Sequence, residues 1–224
     1  LNGGAVSVDG GTLKISGMGS THTDSDWSGG VQFLSNYASD NGGALYGNGG
    51  AASDYLIVGA TFAYNGANGN GGALYVDGGS NLRLEATLFG GNMALGDGGA
   101  ASINNVSNIR IIAGGVPNQF ELDEEEKLIE EVKDKYFDYT ITGSTSFIEN
   151  ETISGNGGAV SIRNFDEMKV ASNSMQEGVY FLMNTASSGK GGALYVVNDT
   201  MNGLLDITPQ KEYEAISSGE TVVK

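Results

Sequence analysis

The stretch Phe62-Ala-Tyr-Asn65-Gly-Ala-Asn-Gly-Asn-Gly71-Gly-Ala-Leu-Tyr-Val76 contains both motifs that decide the fold of this chain. It begins with a Phe-x-x-Asn tetrad and continues, nine residues after the phenylalanine, with a Gly-Gly-Ala triad. A fixed offset that recurs along a chain indicates one supersecondary unit stacked on copies of itself. The tetrad and triad occur together five times, at an offset of nine or ten residues, and a sixth triad stands alone; they start at Phe33/Gly42, Phe62/Gly71, Phe89/Gly98, Phe147/Gly157, Phe181/Gly191 and Gly3.

The shortest repeat predicts three short strands. Ala73–Val76 has the pattern of a first strand. Leu82–Phe89 has alternating apolar residues and predicts a second strand, and Gly90–Gly98 predicts a bend with a short third segment. Three short strands per repeat, separated by Gly and Asn, are typical of a parallel β-helix. We therefore expect an all-β, single-stranded parallel β-helix (solenoid) of about six rungs over residues 1–205, right-handed on general chirality grounds.

Alternation along each strand predicts which side chains form columns from rung to rung. Two inward columns are expected after the triads, with an outward column between them and further inward pairs on the second strand. The inward columns are Val6, Leu45, Leu74, Ala101, Val160 and Leu194, then Val8, Gly47, Val76, Ile103, Ile162 and Val196. The outward column is Ser7, Tyr46, Tyr75, Ser102, Ser161 and Tyr195. The second-strand pairs are Leu13/Ile15, Leu56/Val58, Leu82/Leu84, Ile109/Ile111 and Met168/Val170.

The two motifs have separate physical roles in this arrangement. Paired glycines suit a corner where φ is positive and where neighbouring rungs pass too close for a Cβ. The phenylalanines are expected to stack in the core. The asparagine ending each tetrad is expected to adopt the left-handed conformation and to bond to its counterpart about 4.8 Å away. The motifs thus predict a structural ladder of Phe33, Asn36, Phe62, Asn65, Phe89, Asn92, Phe147, Asn150, Phe181 and Asn184.

A first insertion, around residues 17–30, breaks the repeat and is predicted to be a polar loop. It contains His22, Asp24, Asp26 and Trp27, the last being the single tryptophan of the chain. This set is a candidate ligand or cation site, and a solvated loop without a ligand is the alternative interpretation.

A second insertion, about residues 114–143, carries clustered acids followed by lysines. Apolar residues at helical spacing predict one amphipathic helix over about residues 121–136, with charges that favour the helix dipole. We expect this helix to cover apolar surface, and a partner-binding arm is the alternative. Residues 206–224 lack another triad and are interpreted as a polar C-terminal cap or linker.

Composition excludes several classes of function. The chain has Lys+Arg 11 and Asp+Glu 27, a net charge of −16 over 224 residues. Such a surface repels phosphate backbones and anionic lipids, so we expect neither nucleic-acid binding nor membrane association. No run of about 18 apolar residues is present, so direct membrane insertion is not expected. The absence of cysteine excludes disulfides and thiol catalysis. The chain starts at Leu without a signal peptide, which suggests a processed product or a piece of something longer.

The sequence offers little that would support catalysis or metal binding. No Asp-Asp pair or Gly-His-Gly segment, as expected for a polysaccharide hydrolase, is present. Arg83 and Arg110 are predicted to be neighbours near Glu85, which fits an exposed charge ladder as well as a basic site. We therefore expect no enzyme, no metal and no cofactor. The recurring strand-end residues Asp9, Asn48, Asp77 and Asn104 make calcium the weaker alternative, although turn propensity explains them.

Three tyrosines of the outward column form a candidate binding surface. Tyr46 and Tyr75 are expected to stack in successive rungs, and Tyr195 lies in the same column. Aromatic faces on a flat sheet favour sugar rings or extended protein segments. The alternative is that tyrosine is simply common in strands.

The paired motifs resemble the repeat of chlamydial polymorphic membrane proteins and related autotransporter-type passenger domains. Examples are Phe33-Leu-Ser-Asn36 and Gly42-Gly-Ala-Leu45; the triad at Gly98 departs from the pattern because Ala101 follows it. The likeness covers most of the chain outside the helical insertion and the tail. It implies a secreted, right-handed β-helix at a cell surface, with adhesive or structural function and no catalytic residues.

We therefore expect an extracellular or cell-surface, adhesin-like β-helix that binds a host protein or glycan through a lateral sheet face. The first alternative is a structural subunit of an extracellular filament, surface layer or matrix, whose open strand edges pair with neighbouring copies. The second alternative is a carbohydrate-active β-helix enzyme.

Overall fold

The computed structural model describes residues 1–17, 30–113, 143–172, 177–199 and 203–208. Within these ranges every helix or strand element is a β-strand, and all strand pairs are parallel. The strands form one ten-stranded and two five-stranded sheets, stacked as a β-helix-like solenoid. We use the word rung for one repeat of the chain around this solenoid.

The largest sheet contains the strands that follow the triads and the second strands of each rung. Its main path is β1 (Val6–Asp9), β5 (Leu45–Asn48), β9 (Leu74–Glu85), β12 (Ala101–Ala113), β15 (Val160–Arg163) and β19 (Leu194–Val197). Its remaining strands are β2 (Leu13–Ser16), β6 (Asp54–Val58), β16 (Glu167–Ser172) and β20 (Leu204–Thr208). β9 and β12 each run without a break through both strand positions of their rung. Each therefore pairs with the strands at both positions in the neighbouring rungs.

The two smaller sheets follow from the tetrad and from the residues directly after it. The tetrad sheet contains β3 (Val31–Leu34), β7 (Ala60–Ala63), β10 (Leu88–Gly90), β13 (Thr145–Ile148) and β17 (Val179–Leu182). The third sheet contains β4 (Tyr37–Ala38), β8 (Gly66–Ala67), β11 (Met93–Ala94), β14 (Glu151–Thr152) and β18 (Thr185–Ala186).

The apolar core fills the interior between the sheets, and its columns are in register as the alternation predicts. Leu45 pairs with Leu74, and Leu74 pairs with Ala101, all three fully buried. The tetrad phenylalanines stack with ring centroids 4.7–4.9 Å apart and planes within 8° of parallel, in the order Phe33, Phe62, Phe89, Phe147 and Phe181. The aromatic ladder predicted from the repeat is therefore present.

The predicted inward pair of β6 is wrong by one residue. Tyr55 and Ile57, rather than Leu56 and Val58, are in register with the core residues of β2 and β9. Tyr55 is almost completely buried, and a Cβ at Gly47 would lie 2.6 Å from its Cε1. The Tyr55 ring therefore occupies the volume that Gly47 leaves in its column.

The predicted backbone conformation of the tetrad asparagines is also wrong. The left-handed residue is the one before the asparagine, for example Tyr64 (φ 56°) and Glu149 (φ 55°). The triads behave as predicted, with the two roles divided between their glycines. Gly71 has φ 66°, whereas Gly72 needs no positive φ, but a Cβ on it would overlap the carbonyl oxygen of Gly99 in the next rung.

Several predicted features lie outside the described residues. These are the loop with His22, Asp24, Asp26 and Trp27, the amphipathic helix over about 121–136 with nearly all of its insertion, and most of the C-terminal tail. Strand β20 continues to Thr208 and pairs with β16. No helix long and apolar enough to cross a bilayer occurs in the described part of the chain.

Candidate functional site

The outward column of the largest sheet places two tyrosine rings face to face. Tyr46 on β5 and Tyr75 on β9 are directly in register. Their ring centroids are 5.4 Å apart and their planes are within 3° of parallel. Both side chains are half-buried rather than fully exposed. The two rings therefore form a rigid aromatic surface on the outside of the solenoid.

Carboxylates surround the hydroxyl ends of these tyrosines. Burial is the largest cause of the raised pKa of Tyr46, and the negative charges of Asp77, Asp9 and Asp40 raise that pKa further. Burial, followed by the charge of Asp77, raises the pKa of Tyr75 to about 12. The Tyr75 hydroxyl donates a long hydrogen bond of 3.5 Å to Asp77 Oδ2. The aromatic surface is thus bordered by negative charge.

Tyr195, the third tyrosine of the column, already carries a cation. The guanidinium carbon of Arg163 lies 5.6 Å from the centroid of the Tyr195 ring. Arg163 Nη2 donates to Asp97 Oδ2 at 3.0 Å. Tyr195 therefore takes part in a cation–π contact and is separated from the other two tyrosines.

Two serines separate Tyr75 from Tyr195 in the column, and both are buried on the outer face. Ser102 is 2% exposed and Ser161 is 1% exposed. Arg163 follows Ser161 by two residues on the same strand face, and its partner Asp97 precedes the strand of Ser102. We attribute the burial of the serines to this ion pair, which crosses the column above them.

The asparagines of the tetrads form a continuous hydrogen-bonded ladder beside the phenylalanines. Asn65 donates from its backbone and side-chain nitrogens to Asn92 Oδ1, both at 2.9 Å. Asn92 donates in the same way to Asn150 Oδ1, and its side chain also donates to the Phe62 carbonyl. Every amide in the middle of the ladder is therefore satisfied, which supports the structural interpretation of these residues.

A second ladder was not predicted and lies directly before the triads. The backbone nitrogen of Asn70 donates to Asn41 Oδ1 at 2.8 Å, and that of Asp97 donates to Asn70 Oδ1 at 2.8 Å. Asn156 continues it by donating to Asp97 Oδ1 at 2.7 Å. The signal in the sequence is an Asn or Asp before five of the six triads. This ladder donates towards the start of the chain, opposite to the first.

Among the residues that the structure describes, the most exposed tyrosines lie elsewhere, near the tetrad corner. Tyr37 is 61% exposed and Tyr64 is 63% exposed. A Cβ at Gly66 would touch the Tyr37 ring, and a Cβ at Gly91 would overlap the Tyr64 ring. Each ring thus covers a glycine of the next rung, which gives these residues a structural role.

The predicted arginine neighbours are in register but take part in ion pairs. Arg83 opposes Arg110, and its Nη2 lies 2.8 Å from Glu85 Oε2. Arg110 lies 3.5 Å from Glu167. Glu85 and Arg110 are buried, in contrast to the exposed charge ladder that was expected. Burial of charges in pairs is the usual structural arrangement.

The strand-end residues considered for calcium bind mainly to amides. Asp9 Oδ1 accepts from Asn48 Nδ2 at 3.1 Å, and Asp77 Oδ1 accepts from Asn105 Nδ2 at 2.7 Å. Asn104 donates weakly to Ser102. In the ranges that the structure describes, no three His, Cys, Asp or Glu side chains are grouped closely enough to hold a metal ion.

Comparison with known proteins gives one match. Residues 30–48, which contain the first tetrad and the triad that follows it, match the family model described as the Chlamydia polymorphic membrane protein repeat. No curated protein and no solved structure matches the chain. The chain therefore contains one short segment similar to this repeat, and that similarity supports a relationship at the level of the repeat.

Proposed function

We propose that this chain is a surface-displayed, right-handed β-helix of about six rungs that binds a host protein through the outward face of its largest sheet. The observation that carries this proposal is the Tyr46–Tyr75 stack with its border of carboxylates. Tyrosine offers large contact area at low entropic cost, which makes it frequent at protein interfaces. A sheet built from identical rungs also holds such a surface rigid.

The chemistry of the remaining surface supports the same proposal. A net charge of −16 favours solubility and basic partners, and disfavours nucleic acid and anionic membranes. The match at residues 30–48 is to a repeat whose description names a membrane protein of Chlamydia, which supports an extracellular or cell-surface location. We propose a non-enzymatic role without metal or cofactor, since the ladder motifs are fully used in structural hydrogen bonds.

A binding assay on the tyrosine face tests this function. The wild-type chain is applied to arrays of immobilised cell-surface proteins and glycans, and affinities are then measured for each hit. Tyr75→Ala should weaken protein binding by about tenfold or more, as expected for a central aromatic contact. Tyr37→Ala is the matched control because this tyrosine lies at the tetrad corner, and it should leave binding unchanged. Loss of binding with Tyr37→Ala alone would contradict the proposal.

A structural subunit is the second candidate, favoured by the ends of the described ladder. Phe33 and Phe181 end the stack and are only half-buried, whereas the three rings between them are fully buried. Partly open strands can pair with other copies. Light scattering over a concentration series tests this alternative: end-to-end growth would favour it, and a monomer at all concentrations would exclude it.

A further inference from the structure

The outward column contains the same local arrangement twice, once filled by a cation and once open. In both places a serine is directly in register with a tyrosine of the next rung: Ser161 with Tyr195 and Ser7 with Tyr46. A serine is too small to cover the ring above it. Each pair therefore leaves a space on the ring face that points towards the preceding rung.

Arg163 fills this space at Tyr195. It stands two residues after the serine, and its guanidinium lies over the ring and binds Asp97. Ser161 beneath it is 1% exposed. The filled copy shows which ligand chemistry the space accepts: a planar cation that stacks on an aromatic ring and binds a carboxylate.

The copy at Tyr46 has the opposite charge at the matching position. Asp9 stands two residues after Ser7, where Arg163 stands after Ser161, and both Ser7 and Asp9 are exposed. Tyr75 covers one face of the Tyr46 ring, so the face towards Ser7 is the available one. In the part of the chain that the structure describes, no cation lies over this face.

Asp9 lies on the Ser7 side of the Tyr46 ring, because it is on β1 with Ser7 and opposes Asn48 of β5. Asp9 uses Oδ1 to accept from Asn48, while Oδ2 makes no hydrogen bond with any residue that the structure describes. Asp9, Asp40 and Asp77 all act electrostatically on the Tyr46 hydroxyl. Attraction between these groups and a guanidinium combines a cation–π contact with a charge-assisted hydrogen bond.

We propose that Ser7, Asp9 and Tyr46, here called the Tyr46 slot, bind an arginine side chain of the protein partner. The inference rests on the proposed function and adds its recognition chemistry. Arginine is favoured over lysine because its planar guanidinium stacks on an aromatic ring and binds carboxylates in a fixed geometry. A guanidinium of the partner then lies over the Tyr46 ring, as the guanidinium of Arg163 lies over the Tyr195 ring within the chain.

NMR titration of the full chain with ring-labelled tyrosine tests the slot without knowledge of the partner. The probe is the peptide acetyl-Ala-Ala-Arg-Ala-Ala-amide at millimolar concentration, the range expected for a single side chain. Its matched control is the same peptide with citrulline, which keeps the shape and removes the charge. We expect progressive shifts of the Tyr46 ring signals with the arginine peptide, little change with the citrulline peptide, and weaker binding in high salt.

Two substitutions exchange the arrangements: one introduces an arginine at the open Tyr46 slot, and the other removes the arginine at Tyr195. Asp9→Arg places an arginine at the position equivalent to Arg163 and should reduce peptide affinity by about tenfold or more. Arg163→Ala should add a second set of shifts at Tyr195. If Asp9→Arg does not fold, Asp9→Asn, which keeps an oxygen for Asn48, should weaken binding in the same direction.

The outcomes separate this inference from the proposed function. Equal shifts with both peptides, unchanged affinity in the Asp9 variants, or Tyr46 shifts with the neutral sugar chitotriose in place of the arginine peptide would each overturn the arginine slot. The array experiment is independent of these spectra. Binding to host proteins can therefore persist although the slot fails, and the slot can bind arginine although the arrays show no partner.

Discussion

At the scale of single residues, one side chain in each tetrad satisfies several backbone groups at once. Asn92 is fully buried, accepts two hydrogen bonds from Asn65 and donates to both Asn150 and Phe62. A buried polar group without a partner is costly, so removal of one amide affects three rungs. The stability of the ladder therefore depends on its central asparagines.

Replacement of Asn92 by leucine should destabilise the chain strongly. The change leaves Asn65 and Phe62 with unpaired buried groups, and we expect a loss of about 3–5 kcal/mol in the free energy of unfolding. Urea denaturation measures this loss. Asn36→Leu is the matched control, because Asn36 is half-buried and donates to a single neighbouring amide. Equal effects of the two substitutions would contradict the argument.

The tyrosine stack should make stability fall at alkaline pH. Burial and Asp77 raise the pKa of Tyr75 from 10.0 to about 12, so the folded state retains a proton that the unfolded state releases. This contribution is present below about pH 10 and is lost as pH rises towards 12. Denaturant unfolding measured from pH 9 to 12 checks the trend. Tyr75→Phe should make the decline shallower, and an unchanged slope would disprove the assignment.

The sequence predicts the amide ladder but not the backbone that supports it. Asparagine is the residue in the tetrad that tolerates φ > 0, yet Tyr64 and Glu149 adopt it instead. The reason is that the asparagine needs its side chain directed along the ladder, which moves the tight turn one residue earlier. Local propensity is overruled here by hydrogen bonds between rungs, which no single repeat reveals.

At the scale of elements, alternation predicts the core side of most strands because each side chain has the same neighbour in the next rung. It fails in β6, because the segment before this strand is longer than in the next rung: Asn48 opposes Asp77, whereas Asp54 opposes Asn81. The repeat therefore does not fix the position of β6, and an assignment that is wrong by one residue gives every side chain the wrong face. The glycine in the apolar column was visible in the sequence, whereas its partner Tyr55 was identified only in the structure.

A double-mutant cycle tests the exchange of volume between Gly47 and Tyr55. Gly47→Val should clash with the Tyr55 ring, and Tyr55→Leu should leave a cavity, each costing about 2–4 kcal/mol. The double variant has the Val and Leu residue types found in neighbouring rungs. Its loss in the free energy of unfolding should be about 1–3 kcal/mol smaller than the sum of the two single losses. Thermal unfolding of the four proteins gives the coupling. Additive losses would show that the two sites are independent.

At the scale of the whole molecule, each rung in the described part of the chain pairs with the rungs directly before and after it. Such an array behaves as a row of units joined by nearest-neighbour interfaces. Leu74 in the middle is fully buried, whereas Val6 and Leu194 near the two ends of the described sheet are half-buried. Local stability should therefore decrease from the middle rungs towards both ends.

Hydrogen exchange measures this gradient directly. The amides of Leu74 and Ile103 should exchange only through global opening. Those of Val6 and Leu194 should exchange through local fraying, at rates about a hundredfold higher than the rates of the central amides. The control is Ala44, which directly precedes β5 in the second rung and whose amide donates to the Ala73 carbonyl; its protection should lie between those of Val6 and Leu74. Uniform protection from end to end would indicate a single cooperative unit instead.

The overall architecture was predictable because the same contacts recur in each repeat, whereas the surroundings of the candidate binding surface were less predictable. The tyrosine column could be read from the sequence, but the cation over Tyr195 could not, since Arg163 and Asp97 are 66 residues apart. That pair becomes visible only when two rungs are stacked. The proposed binding surface thus depends on departures from the repeat.

The two asparagine ladders donate in opposite directions along the solenoid, so the lower side of one rung complements the upper side of any other rung that carries both acceptor side chains. A gene segment that encodes one whole repeat can consequently be duplicated or deleted without disturbing either flanking copy. Unequal recombination would then lengthen or shorten the protein in uniform increments of about 4.8 Å.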